Sequence, residues 1–324
     1  MRTILASALL AVLLWANIIT PATTPPEKLD GTISISGAFA LYPLTVKWAE
    51  EFRKIHPEVR IDISAGGAGK GMTDVLSGIV DLAMVSREIN PAELNKGACP
   101  FAVTKDAVVP TISASNPNLS TLLQQGMKRD DFIRLWINGK VKNWSQIGSL
   151  KFNSNIHVYT RSDACGAAET WAKYLGKKQE DLLGVGVYGD PGLAQAVKKD
   201  PSGIGFNNIV YVFDAKTKKQ TNGVRVLPID INNNGKIDPE ENFYDDVFKM
   251  IDAISNGRYP SPPARDLYLV TNGKPKQKAT AEFIKWVLTE GQKYVHETGY
   301  INLPPAKLQK ELEKLNLNTS SIGK

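Results

Sequence analysis

The sequence predicts an α/β fold with two domains joined by two extended crossings. Short runs rich in Ile and Val alternate with amphipathic helical patterns, which is typical of α/β structure. Two long β-rich segments, residues 101–112 and 264–271, enclose a region that has strands and helices of its own. The 324 residues also suit two domains at roughly 150 residues per domain. We therefore expect one domain to be inserted into the other.

The first region predicts the order strand, helix, strand, helix, strand. Strands are expected at residues 32–36, 60–63 and 81–85, where Ile and Val are frequent. Both helices are predicted from apolar residues at helical spacing. The apolar positions are Leu44, Trp48 and Phe52 after Pro43, and then Met72, Val75, Leu76 and Ile79.

The enclosed region and the C-terminal part contain further predicted elements. Strands are expected at residues 156–160, 205–213 and 224–229, and helices at 127–137, 167–175 and 244–254. A helix at 279–289 and an amphipathic tail at 308–315 follow the second crossing. The expected division is a first domain of residues 28–106 and 267–324 and an inserted second domain of residues 107–266.

The N-terminal segment has the pattern of an export signal. Arg2 precedes an apolar stretch from residue 4 to residue 19, broken only by Ser7 and Asn17, and a polar, Pro-rich stretch follows. The apolar stretch is shorter than the ~20 residues that a spanning helix needs. We expect residues 1–22 to be a signal peptide and the mature protein to be periplasmic or otherwise extracytoplasmic. Retention of the uncleaved signal as a membrane tether is the alternative.

Charge and composition exclude several classes of protein. Lys and Arg number 39 and Asp and Glu 33, giving a formal net charge of +6 with no run of five basic residues. This pattern does not suit a nucleic-acid partner. Two cysteines and three histidines, none at metal-ligand spacing, do not make a Cys/His metal site. Cys99 and Cys165 either form a disulfide or remain separate thiols.

No enzyme active site is recognisable in the sequence. The histidines lie outside any nucleophile elbow or HExxH pattern, at His56, His157 and His296. Residues 64–71 resemble a P-loop, but the pattern needs Gly in place of Ser64 and Ser or Thr in place of Gly71. Cys165 at a helix start could have a lowered pKa, yet it lies outside the C-x5-R loop of cysteine phosphatases. We therefore expect a binding protein and not an enzyme.

Three Gly-rich turns that open helices are candidate anion sites, at residues 36–40, 66–69 and 164–167. Such a turn directs unpaired N–H groups and the positive end of the helix dipole at one point. Arg87 follows a strand and Arg161 precedes the last turn, and a guanidinium matches two oxygens of a tetrahedral anion. Each Arg could equally be a solvated charge or part of a surface salt bridge.

Six separated segments carry a resemblance to a known family. They are, in order, SGAFALYPLTVKWAEEF, SAGGAGKG, DLAMVSREI, PFAVTKDAVV, YTRSDACGAAETWAKYLG and LYLVTNGKP. The order resembles the phosphate-binding, periplasmic-type solute-binding proteins of ABC phosphate importers. The resemblance implies a periplasmic-binding-protein-like (type II) two-domain clamp, a Venus flytrap with two extended hinge strands. It also implies capture of inorganic phosphate, delivery to the membrane permease of an ABC transporter, and no required cofactor. We expect a monomer.

The resemblance also assigns residues to the phosphate site. It maps them to Ala38, Phe39, Ala40, Ala68, Ser86, Arg87, Arg161, Asp163, Cys165, Gly166 and Ala167. The family usually has hydroxyls at several of these positions, where this chain has Ala38, Phe39, Ala68, Cys165 and Ala167. Each lost hydroxyl removes a donor worth about 1 kcal/mol, but backbone N–H donors do not depend on side chains. We expect the cradle to persist, with more of the recognition carried by Ser86, Arg87, Arg161 and Lys70.

Asp163 has two interpretations. In the family a carboxylate near the ligand is thought to accept a proton from it, and a fully ionised oxyanion such as sulfate has no such proton. Asp163 would then select for phosphate, or it would only hold Arg161 in place. The same fold could also bind sulfate, molybdate or tungstate, or serve as an anion sensor or adhesion protein.

Residues 230–241 match the order of a twelve-residue EF-hand loop. Oxygen-bearing side chains fall at positions 1, 3, 5, 9 and 12, with Gly at 6 and an apolar residue at 8. The expected Ca²⁺ site comprises Asp230, Asn232, Asn234, Lys236, Asp238 and Glu241. A strand is predicted just before the loop, so the ion would be structural and not part of a paired sensor. The alternative is a polar turn whose Asn-Gly supplies positive φ.

Overall fold

The computed structural model describes residues 29–151 and 153–319. The predicted signal peptide, residues 1–22, and the start of the mature chain lie outside these residues. Within them, no helix combines the length and the apolar character needed to cross a bilayer.

Strands and helices alternate along most of the described chain. The strands are β1 Gly31–Gly37, β2 Val59–Ala65, β3 Leu82–Val85, β4 Ala98–Ser113, β5 His157–Arg161, β6 Val185–Val187, β7 Gly203–Asn208, β8 Val224–Val226 and β9 Ala264–Asn272. The helices are α1 Tyr42–Ile55, α2 Ala68–Leu76, α3 Pro91–Asn95, α4 Leu119–Gln125, α5 Arg129–Trp136, α6 Gly166–Tyr174, α7 Gly189–Lys199, α8 Val247–Ser255, α9 Lys278–Leu288, α10 Lys293–Glu297 and α11 Pro305–Thr319. This is the α/β content that the sequence predicts.

The strands form one sheet in the order β2-β1-β3-β9-β4-β7-β5-β6, with β8 also paired to β4. Strands β1, β2 and β3 are parallel to one another at one end of the sheet, and β5, β6 and β7 are parallel to one another at the other end. The two long β-rich segments predicted from the sequence are β4 and β9. They lie side by side and antiparallel in the middle of the sheet. Strand β4 continues from one side of the sheet into the other.

Two separate hydrophobic cores flank this central pair of strands. One core is formed by residues between 29 and 103 and between 267 and 315, which we call the first lobe. The other is formed by residues between 107 and 264 together with Ile301, and we call its region the second lobe. The change from one core to the other falls inside β4, between Val103 and Ala107.

Helix α1 illustrates how the predicted apolar stripes are buried. Pro43 stands in its first turn, where a missing N–H costs nothing. Leu44, Trp48 and Phe52 are fully buried, and the Phe52 ring packs edge-on against Phe283 of α9 at 5.2 Å between ring centroids. The four-residue spacing therefore predicts both the helix and its buried face.

The sequence predictions that differ from the structure include three at the ends of elements. Ile79 is not on a buried stripe, because α2 ends at Leu76 and leaves Ile79 68% exposed. The strand expected at 205–213 ends at Asn208 and continues as a 3-10 turn. Helix α8 begins at Val247 instead of residue 244, because the Asp246 side chain accepts from the N–H of Phe248 and caps it.

Candidate anion-binding site

Three segments of the first lobe are tied together at the end of the sheet that faces the second lobe. They are the turn before α1, the start of α2 and the end of β3. The N–H groups of Gly66 and Gly67 both donate to the carbonyl of Gly37, at 2.9 and 3.0 Å. The N–H of Ala38 donates to the carbonyl of Met84 at 2.8 Å. Backbone hydrogen bonds thus fix the three segments relative to one another.

On the second lobe, the loop at residues 163–165 connects β5 to α6. The Gln179 side chain holds this loop: its Nε2 donates to the carbonyl of Asp163 at 2.7 Å, and its Oε1 accepts from the N–H of Cys165 at 3.2 Å. One amide therefore satisfies a donor and an acceptor of the loop at the same time.

Arg161 is the central charged group of the second-lobe side. Its Nε and Nη2 donate to the two carboxylate oxygens of Asp163, at 2.8 and 2.6 Å, and its Nη1 donates to Asp190 at 2.6 Å. Burial opposes the guanidinium charge, but the carboxylates of Asp190 and Asp163 raise the pKa of Arg161 overall. A guanidinium has five N–H donors, so two remain for another acceptor.

A chain of buried polar groups continues behind Arg161 to the central strands. Asp190 accepts from Nδ2 of Asn208 at 2.7 Å, and Asn208 accepts from the guanidinium of Arg265. Arg265 on β9 also donates from Nε to Asp106 on β4 at 2.9 Å. Burial raises the pKa of Asp106, and the nearby Arg265 opposes this shift. Arg161 is thus connected, through these buried groups, to both crossing strands, β4 and β9.

The two lobes touch directly at these loops. The N–H of Gly69 donates to the carbonyl of Ala164 at 3.2 Å. Phe39 of the first lobe lies over the Arg161 guanidinium at 5.7 Å from its ring centroid, and its carbonyl accepts from the Tyr211 hydroxyl at 2.9 Å. Phe39 therefore covers the charged group of the opposite lobe.

The starts of α2 and α6 lie close to each other across the gap. A Cβ on Gly166 would stand 2.1 Å from the carbonyl oxygen and 2.4 Å from Oγ of Ser86, and one on Gly67 would stand 3.0 Å from Oδ2 of Asp163. Only glycine permits this approach. The N–H groups of Ala68, Gly166 and Ala167 are in the first turns of their helices and so have no intrahelical acceptor. The three loops and Ser86 are therefore neighbours, as the sequence analysis expects, and Ala40 is buried in the turn beside Phe39.

Lys70, which the sequence analysis expects to take part in recognition, pairs with Asp74, and Arg87 also has other partners. Its Nη1 and Nη2 donate to the Glu93 carboxylate at 2.8 and 2.6 Å, and its Nε lies 3.1 Å from Glu169. It lines a cavity of about 390 Å³ together with Arg265 and other residues, whereas Arg161 does not line that cavity. Its guanidinium is committed to these carboxylates, of which Glu169 lies in the first turn of α6, and makes no contact with Arg161.

Cys165 is a free, buried thiol at the start of α6. It is therefore not joined to Cys99, and the disulfide interpretation is wrong. Burial raises the pKa of the Cys165 thiol to about 12, against the opposing effect of Arg161. The lowered pKa considered from the sequence is also wrong, because loss of solvent outweighs the nearby positive charge.

The loop at residues 230–241 is closed on its own backbone. The Asp230 carboxylate accepts from the N–H groups of Asn234 and Gly235, and Glu241 accepts from those of Ile231 and Asn232. Gly235 has φ +83°, as the polar-turn alternative requires. In the described ranges, no three His, Cys, Asp or Glu side chains are grouped to hold a metal ion.

The sequence analysis did not identify the residues that support Arg161. Gln179, Asp190, Asn208 and Arg265 all act through neighbours that are far away in the chain. Asp190 lies in α7, whose first residues Gly189-Asp190-Pro191-Gly192 resemble a turn. The paired Asn207-Asn208 at the end of an apolar strand is the one local signal that could have drawn attention to this region.

Comparisons with known proteins agree with this architecture. Residues 22–290 match the model of the PBP superfamily domain. The chain is 28% identical to the phosphate-binding protein PstS of Methanocaldococcus jannaschii, across 92% of this chain and 88% of that protein. It is 25% identical to the phosphate-binding protein PstS of Bacillus subtilis, across 88% of this chain and 85% of that protein.

Two solved structures have the same fold. One, from Clostridium perfringens, contains bound phosphate and gives a TM-score of 0.69 at 20% identity, covering 85% of this chain and 100% of that chain. The other is an ABC-type phosphate transport receptor from Vibrio cholerae, with a TM-score of 0.61 at 21% identity, covering 84% of this chain and 100% of that chain.

Proposed function

This chain belongs to the PBP superfamily, and we propose that it is an extracytoplasmic solute-binding protein that captures inorganic phosphate for an ABC importer. The proposal is supported by relatives along most of the chain that are named phosphate-binding proteins. The structural observation that carries it is the convergence of the starts of α2 and α6 on the gap beside Arg161.

The donors at this gap suit a tetrahedral oxyanion. The N–H groups of Ala68, Gly166 and Ala167 begin two helices, and the helix dipoles reinforce them. Ser86 contributes a hydroxyl next to Gly166, and Arg161 has two N–H groups left. These donors replace part of the hydration of the anion without the Ser and Thr side chains that are usual in the family.

The charge at the gap favours an anion that carries a proton. Arg161 contributes one positive charge, while the carboxylates of Asp163 and Asp190 contribute two negative charges. Asp163 holds Arg161 with both oxygens, and its Oδ2 also faces Gly67 of the first lobe. A fully ionised anion such as sulfate gains nothing from this oxygen, whereas hydrogen phosphate can donate to it.

We propose that the protein works by closure and performs no chemistry on the anion. The lobes close about β4 and β9, Phe39 covers Arg161, and a membrane permease recognises the closed form. The neutral thiol of Cys165, with its pKa raised to about 12, offers no ready nucleophile. We expect the protein to be a monomer. We also expect residues 1–22 to be cleaved on export, and the intact mass of the protein recovered from the envelope fraction would test this cleavage.

Isothermal titration with phosphate, arsenate, sulfate, molybdate and tungstate tests the ligand. We expect binding of phosphate and arsenate and no heat from sulfate. Tight binding of another oxyanion without phosphate would overturn the choice of ligand and keep the class of protein.

The main rival is a protein of the same fold that acts as an anion sensor or in adhesion. The missing hydroxyls at Ala38, Ala68 and Ala167 favour it, because they remove side-chain donors. If none of the five anions binds to the mature protein, transport and sensing of these anions are both excluded and the adhesion role is preferred.

We also propose that residues 230–241 bind a structural Ca²⁺. The proposal is supported by the EF-hand ligand order and by the burial of Asp230 and Glu241, at its first and last positions. The ion would displace the N–H donors that these carboxylates now accept from. Thermal melts with Ca²⁺ and with EGTA test it, and equal melting temperatures would exclude the site.

A further inference from the structure

Arg87 is held rigidly on the first lobe. Its side chain is 9% exposed, and both terminal nitrogens donate to Glu93. Glu93 also accepts from the N–H of Asn90 and so caps the short helix that follows. Burial alone would raise the pKa of Glu93, but the hydrogen bonds from Arg87 and Asn90 lower it, so the pair is ionised.

The remaining nitrogen of Arg87 faces the second lobe. Its Nε lies 3.1 Å from Oε2 of Glu169 in α6, and the Glu169 side chain is 39% exposed. Burial raises the pKa of Glu169, and Arg87 acts against that shift. Arg87 is thus a fixed positive charge on one lobe facing a carboxylate on the other.

A second ion pair of opposite polarity lies beside the first. Glu88, the next residue after Arg87, lies 2.7 Å from Nζ of Lys173. Glu169 and Lys173 are four residues apart in α6, so they project from the same face of the helix. A positive and a negative charge on the first lobe therefore face a negative and a positive charge on the second.

We propose that Arg87, Glu88, Glu169 and Lys173 form an electrostatic latch that stabilises the closed arrangement of the lobes. This inference rests on the closure motion of the proposed function, and it gives Arg87 a role other than contact with the anion. The Arg87–Glu169 pair is stronger than the Glu88–Lys173 pair, because it is mostly withdrawn from solvent. The Glu88 pair is exposed and weak, but its reversed polarity disfavours any other register of the two lobes.

The latch is tested by reversing and then exchanging its charges. Lys173→Glu places two acidic groups opposite each other, and the double change Glu88→Lys with Lys173→Glu restores an attractive pair. The matched control is Lys249→Glu, because Lys249 pairs with Asp245 four residues away in the same lobe. Glu169→Gln removes the partner of Arg87 with little change in shape.

Two quantities are measured for each variant of the mature protein: the closed fraction without ligand, by small-angle X-ray scattering, and the Kd for phosphate, by titration. We expect Lys173→Glu and Glu169→Gln to lower the closed-to-open ratio or raise Kd by about twofold to fivefold. The exchanged pair should return both quantities to the wild-type values, and Lys249→Glu should change neither.

The latch is overturned if the exchanged pair is no better than Lys173→Glu in both measurements, or if the control changes as much as the latch variants. Failure of the proposed phosphate binding can be distinguished from failure of the latch. If phosphate does not bind but the closed fraction follows the charges, the latch stands without the phosphate assignment. If phosphate binds with the same Kd in every variant and the closed fraction is constant, only the latch falls.

Discussion

The two sides of the cleft are built on different physical principles. The first-lobe side consists of turns and glycines, and its loops are fixed by backbone hydrogen bonds such as those of Gly66 and Gly67 to Gly37. The second-lobe side is a buried network of charges around Arg161. One side supplies shape and close approach, and the other supplies polarity. A substitution on the first-lobe side should therefore affect how closely the lobes fit together. A substitution on the second-lobe side should affect both stability and binding.

Arg161→Ala should have the largest effect, because it leaves the carboxylates of Asp163 and Asp190 buried without their partner. We expect a loss of about 3–5 kcal/mol in the free energy of unfolding and no measurable phosphate binding. Urea denaturation and titration would measure these. Arg60→Ala, at an exposed pair with Asp62, is the control and should cost less than about 1 kcal/mol. Similar losses for both variants would mean that the burial of the charges around Arg161 does not decide the cost.

Gly166→Ala tests close approach across the gap. Its Cβ would meet the carbonyl oxygen of Ser86 at 2.1 Å, so the lobes could not come as close. We expect phosphate binding weaker by about 1–3 kcal/mol, with each lobe still folded.

Gly69→Ala places a Cβ 2.9 Å from that of Ala164 but also favours helix α2. We expect Gly69→Ala to weaken phosphate binding while thermal stability stays the same or rises. A loss of both binding and thermal stability would show that the fold itself is damaged.

Asn208→Ala tests the support behind Arg161. The change removes the acceptor of Arg265 and the Nδ2 donor to Asp190, both of which are buried. We expect a cost of about 1–3 kcal/mol in unfolding free energy and a smaller loss of phosphate affinity than for Arg161→Ala. Asn208→Asp should be worse than Asn208→Ala, because it puts a second carboxylate beside Asp190. The opposite ranking would mean that the new carboxylate gains more from Arg265 than it loses beside Asp190.

Much of this fold could be predicted from local patterns. The strand at residues 32–36, the stripe of Trp48 and Phe52, and the crossings at 101–112 and 264–271 all correspond to observed elements. Each depends on the periodicity of burial over a few residues. Helix α7 was not predicted because Gly189, Pro191 and Gly192 resemble a turn, although proline is tolerated in a first helical turn.

The candidate site was predictable only in part. The Gly-rich turns before α2 and α6 are local signals, and the structure brings them together. The partner of Arg87 on the other lobe is not local in the same sense, since Glu169 is 82 positions away. The burial that raises the pKa of Cys165 depends in the same way on packing from distant segments. Sequence spacing carries no information about such contacts.

Cys165→Ser should have the smallest effect on stability. The Cys165 sulfur accepts from the N–H of Ala168 at 3.5 Å, and serine is a better acceptor at this helix-capping position. We expect a gain of up to about 1 kcal/mol in unfolding free energy and somewhat tighter phosphate binding, measured by thermal melts and titration. A loss of stability would mean that the buried pocket is too apolar for a hydroxyl.

Alkylation provides a separate check on the second-lobe side. The raised pKa keeps the Cys165 thiol neutral at pH 8, and the side chain is buried. In a Cys99→Ser background, iodoacetamide should modify the folded protein hardly at all and the unfolded protein rapidly. Fast modification of the folded protein would mean that the region around Arg161 opens readily.

The position of β9 also has a consequence for how the chain folds. Strand β9 lies between β3 and β4, so the sheet of the first lobe lacks a central strand until residue 272 has been synthesised. The second lobe draws its core almost entirely from residues 107–264 and can form earlier. Late arrival of β9 gives the first lobe a high contact order, and such lobes fold slowly. The sheet order therefore keeps the N-terminal third of the polypeptide incompletely folded until synthesis is nearly finished.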